Sequence, residues 1–217
     1  MSYSLNTTTI NTLSKEKPKN AVILCHGYGG DGKDISLLAN YWKTYLPETI
    51  FFCPDAPEKC AVSPTGFQWF DLMDQSQDQI LSKSIVAEIR LNKFIDEIKK
   101  NNNFTDNQIA LVGFSQGCMI SLQTGIKRKN SIKCIVGYSG KIINVDHLNK
   151  NLISRPNVFL MHGDIDEVVP VNFLLEAKDF FNKNNYKIET KIFENCEHRI
   201  PTEGSSLGLQ FIKKNLY

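Results

Sequence analysis

The 217-residue chain has 41% hydrophobic residues, 22% charged residues and a net charge of +2, values typical of a single globular domain. Its basic residues are scattered, which argues against binding to nucleic acid or to an anionic membrane surface. No apolar run approaches the ~20 residues of a membrane span, and the polar first 20 residues lack the apolar core of a signal peptide.

The six cysteines form neither a CxxC pair nor a metal-ligand spacing. Cys25, Cys118 and Cys134 lie inside apolar runs, so we interpret them as reduced thiols of the core. Because disulfides are rare in reducing compartments, reduced thiols favour a cytoplasmic protein. No metal is expected, since no metal-ligand spacing is present, and no cofactor is expected either.

The N-terminal half of the chain alternates predicted strands and helices. Residues 2–10 predict an edge strand, and residues 1–20 are expected to be an edge segment of the same domain as residues 21–217. The unalternating apolar run at 21–25 is typical of a strand buried on both faces, as in a parallel sheet. There follow a predicted helix at 34–46 capped by Asp34, a strand at 50–53, a long aromatic-rich connection at 55–74 and an amphipathic helix at 79–100 whose inner face includes Ile89.

The C-terminal half continues the same alternation. Its predicted strands lie at 109–112, 132–136, 157–161 and 187–193, and its helices at 118–129, 172–184 and 203–215. Strands that alternate with helices indicate βαβ units. We therefore predict one α/β domain with a mainly parallel central sheet and helices on both faces.

The pentapeptide Gly113-Phe114-Ser115-Gln116-Gly117 lies between a predicted strand and a predicted helix. Its glycines remove Cβ atoms that would clash in a sharp turn and tolerate unusual backbone angles. This is the pattern of a nucleophile elbow, which holds a serine hydroxyl at the end of a strand. We therefore predict Ser115 as a nucleophile, with a helix N-cap as the alternative. Ser139 lies in a similar Gly-x-Ser-Gly stretch, but no helix signal follows it, and we interpret it as a loop residue.

A serine nucleophile needs a base, and the base needs an orienting acid. Functional groups in parallel sheets gather at the C-terminal ends of the strands. Asp166 and His198 follow later strands, in the Ser–Asp–His order of α/β-hydrolase triads. We predict His198 as the general base and Asp166 as its partner, with Asp164 as the alternative acid.

The other histidines are expected to have structural roles. His26 and His162 each end a strand before a glycine and should brace loops by hydrogen bonds, whereas His147 lies in a polar stretch and should be at the surface. Arg199 follows the predicted base directly, and we expect it to point to solvent or to pair with Glu197.

Acyl transfer also requires donors for the developing oxyanion, each worth ~2.7–4 kcal/mol. The backbone N–H groups of Gln116, at the start of the elbow helix, and of Tyr28, in the glycine-rich loop 26–30, are the candidates. The alternative for this loop is a phosphate site, but it lacks the Lys-Ser/Thr of a P-loop and the G-x-G-x-x-G register.

Together these motifs resemble the phospholipase/carboxylesterase family of α/β-hydrolases, which includes the acyl-protein thioesterases. The resemblance runs from about residue 21 to the C-terminus and rests on the stretches 26–29, 68–71, 113–117, 138–140, 162–170 and 198–203. It implies an α/β-hydrolase fold without a large lid, the triad Ser115, Asp166 and His198, and Tyr28 and Gln116 as oxyanion donors.

The same resemblance implies that the Trp69 loop and the loop at 140–145 border an acyl groove. Trp69, Phe70 and Met73 are the expected substrate-binding residues, with a plain core position as the alternative for Trp69. An apolar groove lip made of these three residues is also compatible with a homodimer.

We therefore expect a serine hydrolase that cleaves carboxylic esters or thioesters of acyl chains through an acyl-enzyme. Its substrate would be a small ester, a lysophospholipid or an acylated protein. One alternative is a dienelactone-hydrolase-like enzyme, although that chemistry favours Cys where this chain has Ser115. The other is a non-catalytic binding protein with the same fold, which usually lacks at least one of the three catalytic groups.

Overall fold

The protein is described by a computed structural model that covers residues 3–14, 16–73 and 76–217. Its strands are β1 (Thr7–Ile10), β2 (Asn20–Cys25), β3 (Thr49–Pro54), β4 (Glu58–Lys59), β5 (Phe67–Gln68), β6 (Ile109–Phe114), β7 (Cys134–Tyr138), β8 (Asn157–Gly163) and β9 (Ile188–Phe193). Its helices are α1 (Gly32–Trp42), α2 (Gln77–Asn102), α3 (Gln116–Lys127), α4 (Val145–Lys150), α5 (Asn172–Lys183) and α6 (Thr202–Leu216), with a 3₁₀ turn at Asp106–Gln108.

Seven of the described strands form one sheet in the order β1-β3-β2-β6-β7-β8-β9. β1 pairs antiparallel with β3 at one edge, and the other neighbours are parallel. The predicted α/β fold with a mainly parallel sheet is therefore confirmed. Of the predicted N-terminal strand at 2–10, residue 2 lies outside the described residues, residues 3–6 precede β1, and only 7–10 form the strand. The C-terminal ends of β2, β6, β7, β8 and β9 meet at one edge, where the candidate site lies.

Both faces of the sheet are covered by helices. α2, α3 and α5 pack on one face, where Phe94, Ile120 and Phe181 join the core. α1 and α6 cover the other face, where Trp42 and Ile212 are fully buried. Successive residues of β2 contribute to alternate faces and all six are buried. This burial explains the unbroken apolar run of that strand.

Two details of the helices differ from the sequence-based expectation. The N-cap of α1 is Asp31, whose side chain accepts a hydrogen bond from the Asp34 N–H, so Asp34 is not the cap. Ile89 is exposed rather than inward-facing, because Glu88 occupies the inner face of α2. The buried Glu88 carboxylate accepts hydrogen bonds from Gln123 and Lys127 of α3, a pairing that hydrophobic periodicity does not reveal.

Within the described part of the chain, no helix is both long enough and apolar enough to cross a membrane.

Candidate active site

Ser115 occupies a strained turn between β6 and α3. Its φ and ψ are 53° and −119°, outside the regions that side-chain-bearing residues favour, at a cost of ~1–3 kcal/mol. The flanking glycines are required for close approach: a Cβ on Gly113 would lie 2.3 Å from the Gly117 carbonyl, and one on Gly117 would lie 2.0 Å from the Cys25 carbonyl oxygen. The unusual backbone angles therefore belong to the serine, while the glycines let the chain pack tightly around it.

His198 and Asp166 meet at the same edge of the sheet. His198 Nδ1 lies 2.8 Å from Asp166 Oδ2. Because an ionised carboxylate only accepts hydrogen bonds, we assign the proton to Nδ1, which leaves Nε2 free to act as a base. The His198 ring also packs on Phe114, the residue before Ser115, with 4.9 Å between the ring centroids. No hydrogen bond joins the Ser115 hydroxyl to His198 among the described residues, and such bonds often tighten only in the substrate complex.

Asp166 is held by its own loop. Its side chain is fully buried, and Oδ1 accepts hydrogen bonds from the backbone N–H groups of Val168 at 3.0 Å and Val169 at 2.8 Å. Burial alone raises the pKa of this carboxyl, but the hydrogen bonds from Val169 and His198 outweigh it and hold the pKa below its usual range. Asp166 is therefore ionised at neutral pH and oriented before any substrate binds.

The alternative acid, Asp164, does not reach His198. It is exposed, and its Oδ1 accepts a hydrogen bond from the Cys196 backbone N–H at 3.2 Å. This contact ties the loop after β8 to the loop after β9, which carries His198. The structure thus brings Asp166, and not Asp164, to the histidine.

The two buried histidines at strand ends brace loops, as expected. His26 Nδ1 lies 2.7 Å from the Gly27 carbonyl oxygen, and its Nε2 accepts a hydrogen bond from the Ala56 N–H at 2.9 Å. His162 Nε2 lies 2.7 Å from the Val169 carbonyl oxygen. Burial lowers the pKa of both imidazoles, so both are neutral at physiological pH.

The two predicted backbone donors, Tyr28 and Gln116, lie in segments next to Ser115. Gln116 is the first residue of α3, so its N–H has no partner within the helix. The loop with Tyr28 packs against the nucleophile, since a Cβ on Gly27 would lie 3.3 Å from Ser115 Cβ. Among the described residues, neither the Tyr28 nor the Gln116 N–H makes a hydrogen bond within the protein.

Trp69 and Phe70 do not line a surface groove in this structure, because both are fully buried. Instead, the Gln116 side chain clamps their backbone: its Oε1 accepts from the Trp69 N–H at 2.8 Å, and its Nε2 donates to the Phe70 carbonyl at 2.6 Å. The Trp69 indole donates to the His26 carbonyl at 3.0 Å. The two aromatic residues thus pack inside the protein against the elbow and the Tyr28 loop. Of the three expected groove residues, only Met73 is exposed.

The Gln116 clamp was missed at the sequence level. The sequence predicted the backbone N–H of Gln116, the residue after the elbow serine, as an oxyanion donor. Nothing in the sequence indicated where the Gln116 side chain would point. The buried polar side chain in an otherwise apolar helix start was the available signal, since a buried amide needs partners.

Two shallow cavities flank the site. One, of about 330 Å³, is lined by Ile165, Glu167, Val168, Glu197 and His198. The other, of about 260 Å³, lies beside Tyr28, Ile35 and Phe114 and is mainly apolar. Arg199 is exposed, in agreement with the expectation that it points to solvent. Among the residues that the structure describes, no three His, Cys, Asp or Glu side chains cluster as metal ligands.

Residues 7–216 match the model of the phospholipase/carboxylesterase family. Acyl-protein thioesterase 1 of Saccharomyces cerevisiae is 31% identical, over 91% of this chain and 93% of the relative. Acyl-protein thioesterase 1 of Kluyveromyces lactis is 27% identical, over 95% and 97%.

Among solved structures, esterase PE8 superposes with a TM-score of 0.93 at 31% identity, covering 98% of this chain and 99% of that one. Acyl-protein thioesterase 2 of Zea mays shares the fold, with a TM-score of 0.76 at 20% identity over 98% and 99% of the two chains. The family model spans nearly the whole chain, and the closely superposing esterase covers the same extent. The protein therefore belongs to the phospholipase/carboxylesterase family.

Proposed function

We propose that this protein is a serine hydrolase that cleaves carboxylic esters or thioesters of acyl chains through an acyl-enzyme on Ser115. The observation that carries the proposal is the strained Ser115 turn at the sheet edge where His198 is hydrogen-bonded to the buried Asp166. Backbone angles of this kind cluster at active sites, where the surrounding structure imposes them. The family match and the relatives named as thioesterases and esterases support the same chemistry.

In the proposed mechanism, Ser115 Oγ attacks the acyl carbonyl while His198 Nε2 takes its proton. Asp166 keeps the proton of the imidazole on Nδ1 and stabilises the imidazolium that forms. The Tyr28 and Gln116 N–H groups donate to the oxyanion. His198 then protonates the departing thiol or alcohol, and a water molecule, activated by the same imidazole, hydrolyses the acyl-enzyme.

The cavities beside His198 and Phe114 are the candidate binding spaces for the acyl chain and the leaving group. Their volumes of about 330 and 260 Å³ lie near the lower end of the ~300–1,000 Å³ typical of ligand pockets. Because both cavities are open to solvent, their volumes set no upper limit on the acyl chain, and a substrate series has to measure the preferred length. The relatives' names add thioesters of acylated proteins to the substrates to be tried.

The test is hydrolysis of p-nitrophenyl esters and acyl-thiol esters from acetyl to palmitoyl by the wild type and Ser115→Ala. We expect turnover by the wild type, none by the variant, and a similar thermal midpoint for both. Ser131→Ala, in which the lost hydroxyl bonds to the neighbouring Ile132 carbonyl, is the control and should retain activity. A fluorophosphonate adduct on any residue other than Ser115, or normal turnover by Ser115→Ala, would contradict the assignment.

The cytoplasmic location and the homodimer stay predictions. The location is supported by six cysteines that are all buried free thiols. The dimer has weaker support than the sequence suggested, because Trp69 and Phe70 are not part of an exposed lip.

A further inference from the structure

Ser139, at the end of β7, resembles Ser115 in its backbone. Its φ is 47°, and its N–H donates to the Met161 carbonyl of β8 at 2.9 Å. A serine in the left-handed region is uncommon and persists only where its surroundings impose it. The next helix, α4, begins only at Val145 and not directly after Ser139, so this turn is not a second nucleophile elbow. The serine side chain is buried instead, near the loop that carries Asp166.

The Ser139 hydroxyl is buried, since the residue is only 1% exposed. It forms no hydrogen bond of standard geometry with any described residue. The hydroxyl lies near the Asp166 carboxylate and helps to hold the pKa of that carboxyl below its usual range. A buried hydroxyl without a partner is unfavourable, so a hydrogen bond from it to this carboxylate would be stabilising.

The carboxylate has room for that bond. Asp166 Oδ1 already accepts two backbone N–H groups, and Oδ2 accepts one bond from His198 Nδ1. His162 Nε2 lies 3.4 Å from Oδ2, but it is closer to the Val169 carbonyl, at 2.7 Å. A neutral imidazole has one N–H, and that of His162 is used on this carbonyl. Each carboxylate oxygen accepts about two hydrogen bonds, so one position on Oδ2 is open.

We propose that Ser139 is a positioning residue whose hydroxyl donates to Asp166 Oδ2 and fixes the carboxylate for His198. The proposal deepens the proposed hydrolase function and rests on it. Without the hydroxyl, Asp166 keeps its loop contacts but loses the donor that restrains Oδ2. Less of its negative charge is then neutralised, so it favours the imidazolium form of His198 more strongly.

The test compares Ser139→Gly and Ser139→Ala with the wild type. Both variants lack the hydroxyl, and glycine also relieves the left-handed backbone, so a folding defect is separated from loss of the donor. We expect kcat to fall about tenfold in both with little change in KM, as for a lost hydrogen bond to a charged group. The acid limb of the pH–rate profile should move to higher pH.

Ser154→Ala is the matched control. Its hydroxyl is also buried and bonds to the Gly125 carbonyl at 3.1 Å, at the other end of α3. This variant should lose thermal stability but keep the wild-type kcat and pH profile. If Ser139→Gly kept the wild-type kcat and pH–rate profile, the proposal would be overturned and Ser139 would have a structural role.

A second readout does not depend on turnover. The pH midpoint of the His198 ring resonances, followed by NMR, should be higher in Ser139→Gly than in the wild type. If the wild type hydrolyses no ester or thioester, the proposed function fails, but this shift still supports the contact between Ser139 and Asp166. An unchanged midpoint would overturn the contact whether or not the protein is active.

Discussion

The Gln116 side chain offers the sharpest test of how the site is assembled. Its backbone N–H is a proposed oxyanion donor, and its amide clamps the backbone of Trp69 and Phe70. Gln116→Met replaces it with an unbranched side chain of similar length that has no N–H donor and only a weak sulfur acceptor. The substitution therefore breaks the clamp while leaving the backbone donor chemically intact.

The expected cost follows from the two groups left behind. The Trp69 N–H and the Phe70 carbonyl would both be buried without partners, at ~1–3 kcal/mol each, or ~2–6 kcal/mol together. This is a large part of the ~5–15 kcal/mol that stabilises a typical native protein. A chain of this size loses ~2–4 °C in Tm per kcal/mol, so a fall of roughly 4–24 °C is expected.

The catalytic effect should exceed a general loss of stability. If the clamp sets the position of the Gln116 N–H, releasing it weakens oxyanion binding, and losing one donor costs ~10²–10³ in kcat. We expect a kcat loss that approaches ~10² with p-nitrophenyl butyrate, measured well below the Tm. Gln123→Met is the control, because Gln123 is a buried amide of the same helix that bonds to Ser84 and Glu88, away from the elbow.

The comparison between the two variants decides the matter. Both should lower the Tm, but only Gln116→Met should lower kcat. Equal kcat values in the two variants at matched fractions folded would refute the link between the clamp and the oxyanion donor. An unchanged Tm in Gln116→Met would show that the two backbone groups find other partners.

Two further predictions concern carboxylates. Asp166→Asn should lower kcat/KM by ~10⁴, as in the best-studied serine hydrolase, because the amide favours the wrong imidazole tautomer; Asp164→Asn should cost far less, and the reverse ranking in parallel assays would show that Asp164 is the acid. Burial raises the pKa of Asp106, but hydrogen bonds from Lys99 and Arg128 outweigh burial and hold this pKa below its usual range. The ionised Asp106 therefore stabilises the folded protein above pH ~4, and this stabilisation is lost as the pH falls through the pKa of the folded state. Thermal midpoints from pH 7 to 3 should therefore fall less steeply for Asp106→Asn than for the wild type, and equal slopes would contradict the assignment.

The sequence was informative wherever a single physical requirement dominates. Unbroken apolar runs indicated strands buried on both faces, and the glycines around Ser115 indicated a close approach of backbones. The Ser–Asp–His order indicated which loops meet, since parallel strands deliver their ends to one edge. The choice of Asp166 over Asp164 followed from the apolar residues after it, and the N–H groups of Val168 and Val169 do hold its carboxylate.

The connection between β3 and α2 was harder to predict because its contacts are tertiary. β4 and β5 are only two residues long each, too short for a periodic signal. The family resemblance implied that Trp69 and Phe70 border an acyl groove. Trp69 and Phe70 are buried instead, because Gln116, distant in sequence, satisfies the polar backbone groups that burial would otherwise leave unpaired.

The spacing of the proposed catalytic groups follows from the register of the sheet. The first residue after each of β6, β7 and β8 donates its N–H to a carbonyl near the end of the next strand: Ser115 to Tyr138 at 2.8 Å, Ser139 to Met161 at 2.9 Å and Asp164 to Phe193 at 3.0 Å. The parallel ladder therefore continues one residue past each strand, into the loops that carry the chemistry. Because each loop is hydrogen-bonded to the neighbouring strand, no loop can shift along the strand direction without breaking one of these backbone hydrogen bonds. Backbone hydrogen bonds thus restrain the starts of the loops that carry the proposed nucleophile and acid, even though no side-chain bond joins Ser115 to His198 among the described residues.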